Sequence, residues 1–122
     1  MRLGLLVAVL AVASAFAGCS TAAHIQVEVV VVGDSFSGGN FTLDGWDPSN
    51  AHVASFKTVL GANTTVVVGS FEGEAGAYTL RAAAGLHVHQ QEDVDLPKGT
   101  TRLYVLANDD RVDFSLDGVH PI

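Results

Sequence analysis

From His24 onward the chain is written in alternating apolar and polar residues, and no segment there carries the three-and-four apolar spacing of a packed helix. Side chains two apart on an extended strand share a face, so this alternation demands sheets with one buried and one wet side. Ile25, Val27, Val29 and Val31 take one face of the first segment, against Gln26, Glu28, Val30 and Val32. That second face turns apolar toward its end, which suits a strand covered on both sides there. Val112, Phe114 and Leu116 alternate in the same way with Arg111, Asp113, Ser115 and Asp117.

Turn-forming residues punctuate the alternation. Gly33 to Gly39 ends the first segment, and Phe41 and Leu43 lead to Asp44-Gly45, a dipeptide suited to a tight hairpin. Asp47-Pro48-Ser49-Asn50 follows, then an alternating stretch from His52 to Leu60. The run Thr64 to Phe71 is rich in β-branched side chains, which pack well on a pleated surface. Gly73 and Gly76 bracket a turn before Tyr78, Leu80 and Ala82. Val94 and Leu96 stop at Pro97-Lys98-Gly99, and Leu103 and Val105 precede Asn108-Asp109-Asp110. About seven short strands at such spacing predict an all-β fold, an antiparallel β-sandwich or a small barrel, as one domain over residues 24–122. Phe41-Thr42-Leu43-Asp44-Gly45 echoes Phe114-Ser115-Leu116-Asp117-Gly118, a likeness that turn chemistry alone produces at hairpin ends.

The first residues belong to another class. Met1 and Arg2 give a positive start, Leu3 to Phe16 is apolar but short for a membrane span, and small residues follow. This is the pattern of a cleaved export signal over residues 1–18. The one cysteine of the chain stands directly after it, so no intramolecular disulfide can form. Phe16-Ala17-Gly18-Cys19 resembles the lipobox of prokaryotic lipoproteins, a family cleaved before the cysteine and given diacylglycerol on its sulfur. The resemblance implies that Cys19 becomes a lipidated first residue and that residues 19–23 form a short tether. It also implies an extracytoplasmic protein of the cell envelope, anchored in the membrane through its lipid. The family usually has Leu where this chain has Phe16. Cleavage after Ala15-Phe16-Ala17 is the alternative and would leave a free thiol at Cys19.

Removing residues 1–18 takes away Arg2 and no acid, so five Lys/Arg face thirteen Asp/Glu, a charge of −8 with histidine neutral. Such a surface repels phosphate backbones, and nucleic acid is excluded as an expected partner.

Glu74-Ala75-Gly76-Ala77-Tyr78-Thr79-Leu80-Arg81-Ala82 resembles the start of strand F in immunoglobulin-like domains. The resemblance implies that Tyr78 is a tyrosine-corner residue with its hydroxyl bonded to upstream backbone, and that Trp46 is the buried strand-C tryptophan. Both core cysteines of that family are missing here, with Leu80 standing where many members carry the second.

His87-Val88-His89 places two imidazoles on one side of a strand, where both could meet one Zn or Cu ion. The string is similar to the His-Val-His of copper-zinc superoxide dismutases, but the further ligands of that family are absent, and nothing in spacing brings His24, His52 or His120 to the pair. The bland expectation is two solvated histidines on an edge strand. Asp109, Asp110, Asp113 and Asp117 do not have the spacing of a calcium loop, and Glu92, Asp93 and Asp95 suit a wet strand face. Gly-x-Ser-x-Gly and phosphate-binding glycine loops are absent. Asn40-Phe41-Thr42 and Asn63-Thr64-Thr65 are glycosylation sequons at Asn40 and Asn63. The expected function is therefore non-enzymatic: an anchored module for binding, adhesion or envelope assembly, holding a protein or glycan at the cell surface with no cofactor beyond the lipid. The alternative is a metal-binding lipoprotein using His87 and His89.

Overall fold

The computed structural model describes residues 23–122. The expected export signal, Cys19 and all of the expected tether but Ala23 lie outside the described residues. Eight strands follow in order: β1 (His24–Gly33), β2 (Gly39–Trp46), β3 (His52–Leu60), β4 (Thr65–Glu74), β5 (Gly76–Ala84), β6 (His87–Leu96), β7 (Arg102–Ala107) and β8 (Val112–Ser115). They form two four-stranded sheets, ordered β4-β1-β7-β8 and β3-β2-β5-β6, a sandwich and not a closed barrel. All pairings are antiparallel except β1 with β7, which run parallel. The chain changes sheet between β1 and β2, whereas an immunoglobulin domain keeps its first two strands together.

The core lies between the sheets and is built from the alternate residues read above. Ile25, Val27, Val29 and Val31 of β1 meet Phe41 and Leu43 of β2, Tyr78 and Leu80 of β5, and Leu103, Val105 and Phe114 of the first sheet. Val30 is also buried, on the outer face, so β1 is covered on both sides there.

Two turn expectations move. Asp44 and Gly45 lie inside β2, and the chain turns instead at Asp47, whose carboxylate accepts the amides of Ser49 and Ala51 at 2.9 Å each. Gly45 serves packing: a Cβ there would stand 3.2 Å from both Ala54 and Leu80. Leu116 is not the last inward residue of a strand, because β8 ends at Ser115. The buried Ser115 hydroxyl accepts the Gly118 amide at 2.9 Å and turns the chain away, leaving Leu116 partly exposed.

The sandwich has two distinct ends. At the near end the chain enters at His24, beside the β2–β3, β4–β5 and β6–β7 turns, and the Ala75 amide donates to the Ala23 carbonyl at 2.7 Å. At the far end lie residues 34–38, 61–64, 85–86 and 108–111, with Phe36 buried among them.

Candidate functional site

Strand pairing sets the outer face of the second sheet in rows, since directly opposed residues point to the same side. Toward the far end one row runs Lys57, Thr42, Ala83, Val88 across β3, β2, β5 and β6. Beyond it Val59 stands opposite Asn40, whose carbonyl accepts the Gly85 amide at 2.9 Å, and Leu86 follows at the tip of the β5–β6 turn. Three of these side chains are strongly exposed: Leu86 at 97%, Val59 at 74% and Val88 at 59%. With strands about 4.8 Å apart, the four span about 14 Å. Neither row contains a carboxylate, although the chain is strongly acidic.

The apolar exposure is concentrated. Of the eight large hydrophobic residues left exposed among the described residues, Val59, Val66, Val67, Leu86 and Val88 belong to the far half, and the other three to the C-terminal segment. Single exposed apolar residues are ordinary on any protein surface. The gathering of Val59, Leu86 and Val88 on one band makes that band a candidate interaction surface.

This end is interlocked across the two sheets. The Asp109 carboxylate accepts the Ser37 amide at 2.7 Å and the Ser37 hydroxyl at 2.6 Å, and the Asp109 amide donates to the Ser35 carbonyl at 3.1 Å. The Ser37 hydroxyl and amide hold the Asp109 carboxyl below the usual carboxylate range. Asn63, in the left-handed region at φ 46°, accepts the Phe36 amide at 2.8 Å through its side chain and donates its own amide to the Phe36 carbonyl at 3.0 Å. Three of the four far-end connections are thus bonded into one frame. A frame already ordered loses less conformational freedom when a partner docks.

The two sequon asparagines are both at this end. Asn40 is exposed between Val59 and Gly85, so a glycan there and a partner on the same row would exclude one another. Asn63 is exposed in the β3–β4 turn.

His87 and His89 lie on β6, an edge strand, opposite Ala84 and Ala82. His87 is exposed. His89 is half-buried, its Nε2 3.1 Å from Gln91 Oε1 and its ring 5.5 Å from that of Phe114. Among the described residues no group of three or more His, Cys, Asp or Glu gathers as a metal cage. The acidic residues near the end of the chain are separately engaged: Asp109 by Ser37, Asp113 by Arg111 at 2.8 Å, and Asp117 by the amides of Val119 and His120 at 2.8 Å each.

Tyr78 is fully buried, and its hydroxyl has no hydrogen-bond partner among the described residues. A tyrosine corner needs that hydroxyl bonded to upstream backbone. Trp46 is not a core residue: it faces outward on β2, half-buried, with the His52 ring stacked on it at 5.0 Å. Inward positions of β2 belong to Phe41, Leu43 and Gly45, which leaves 46 on the wet side of the alternation.

Sequence reasoning passed over Val59, Leu86 and Val88 as site residues. Their signal is present: apolar residues at wet positions of the alternation and at a glycine turn. No family model, curated protein or solved structure matches the chain.

Proposed function

We propose that this chain is a lipid-anchored, extracytoplasmic sandwich that binds a protein partner through its far end, without catalysis. The observation that carries the reading is the concentration of exposed Val59, Leu86 and Val88 on a carboxylate-free band opposite the end where the chain enters. Acylation at Cys19 would place the near end at the bilayer, since four extended residues reach only about 14 Å. Two acyl chains suffice for stable anchoring at about 0.8 kcal/mol per buried CH2. A protein held this way turns its far end outward, where a partner can reach it.

Two measurements test the reading. Labelled fatty acid should enter the wild-type chain and not Cys19→Ser; equal labelling of both, or of neither, contradicts the anchor. Leu86→Asp combined with Val88→Asp should release the chain from its complex in mild detergent extracts. Both positions are exposed, so the thermal midpoint should hold while the complex is lost. Retention of the complex by the double variant contradicts the far-end surface.

A further inference from the structure

We infer that the outer face of the second sheet carries a separate site, a shallow platform for a neutral saccharide, built on Trp46. It occupies the rows nearer the chain's entry and is independent of the far-end band. Trp46 stands opposite His52 on β3 and Thr79 on β5, and the adjacent row runs Ser55, Asp44, Arg81, Gln90.

The indole is braced from one side. His52 stacks on it at 5.0 Å with the rings 21° apart, and Asp44 Oδ1 lies 3.0 Å from His52 Nε2, fixing the imidazole. A depression of ≈ 360 Å3 opens beside it, lined by Trp46, Asn50, Thr79 and Gln90. Asn50 sits at φ 67° in the β2–β3 turn, its amide bonded to the Asp47 carbonyl at 2.8 Å, so the backbone that presents its side chain is ordered.

The lining consists of one aromatic, two primary amides and one hydroxyl, all uncharged. A pyranose ring presents a C–H face that packs on an indole and a rim of hydroxyls that each donate and accept. Asn and Gln side chains offer a donor and an acceptor in one plane, which matches a pair of neighbouring hydroxyls. An anionic ligand would meet the Asp44 carboxylate in an acidic domain, with Arg81 opposite it. An acyl chain would leave the amides unpaired at a cost. A neutral sugar satisfies every group of the lining.

Trp46 is the one tryptophan of the chain, so its emission reports this site alone. The full chain, in a zwitterionic detergent free of sugar headgroups, is titrated with cellotriose, chitotriose and mannotriose. The same sugars are then offered as lipid headgroups in phosphatidylcholine vesicles. We expect a saturable change in Trp46 emission with at least one sugar, half-complete at about 0.1–10 mM as suits a shallow site. Gln90→Ala, and independently Thr79→Val, should weaken it about three- to tenfold by removing one hydrogen bond each, with the thermal midpoint of the free protein held. Response to free and lipid-borne sugar alike supports a soluble or polymeric glycan, and response to the lipid-borne form alone supports a glycolipid headgroup. Absence of a saturable change with every sugar up to about 50 mM, or a change of equal strength in both variants, overturns the inference.

Discussion

The Tyr78 hydroxyl is pressed against Gly73, in the space where any other residue would carry its Cβ. The phenol is fully buried there without a hydrogen-bond partner among the described residues. A buried polar group left unpaired costs stability, and replacing it with hydrogen removes the cost. Tyr78→Phe should therefore match the wild type or exceed it by up to about 1 kcal/mol in urea unfolding, where loss of a tyrosine-corner bond would lower it. Gly73→Ala should lose about 1–3 kcal/mol, since the new methyl collides with the phenol.

The same residue sets an alkaline limit. Burial, reinforced by the negative charges of Asp47 and Glu74, pushes the Tyr78 phenol up to about 12 from its ordinary 10.0. The fold holds the neutral form, so its contribution is complete below pH 10 and is lost as pH rises from there toward 12. A shift of this size corresponds to about 2–3 kcal/mol. Urea unfolding at about pH 9 and about pH 11.5 should show most of that loss, about 2 kcal/mol, in the wild type and a smaller one in Tyr78→Phe.

At the acid side the C-terminal turn should respond. The amide and ring of His120, the Val119 amide and the Ser115 hydroxyl hold the Asp117 carboxyl well below its ordinary 3.8. A depressed carboxylate contributes above its unfolded pKa, and the contribution fades as pH falls below that value. The amide resonances of Val119 and His120 should hold through the ordinary carboxylate range around 3.8 and move together only at lower pH, with those of the core strands unmoved. Asp117→Asn should abolish that joint movement.

Added Zn(II) or Cu(II) should bind weakly. His89 already packs on Phe114 and faces Gln91, and among the described residues no group of three metal-ligating side chains gathers at the pair. Calorimetric titration of the Cys19→Ser chain should give millimolar affinity. Micromolar binding that disappears in His87→Ala with His89→Ala would favour the metal-binding alternative.

Period two made the sandwich legible because each inward position of the strands is a decision between core and water. The fate of single turn-like strings was not legible. Phe41-Thr42-Leu43-Asp44-Gly45 and Phe114-Ser115-Leu116-Asp117-Gly118 share their chemistry, yet Gly45 stays in β2 beneath Ala54 and Leu80 while Gly118 takes φ 80° in a turn. What separates them is packing from strands distant in sequence, to which local propensity is blind. Trp46 shows the same limit from the other side. Size suggests a core residue, and only the phase of the alternation through Phe41, Leu43 and Gly45 puts it outside. The far-end band joins residues from Asn40 to Val88, and it exists only once β3, β2, β5 and β6 are laid side by side.

The proposed anchoring and polarity of the sandwich are open to one direct measurement. A photocross-linking residue is placed in turn at Val59 and Val88 of the far end and at Ser49 and Lys98 of the near end, and activated in the native membrane. Far-end positions should yield protein adducts, near-end positions lipid adducts, and Cys19→Ser should abolish the latter. Lipid adducts that survive Cys19→Ser, or protein adducts as strong from Lys98 as from Val88, would contradict a sandwich anchored at one end and bound at the other.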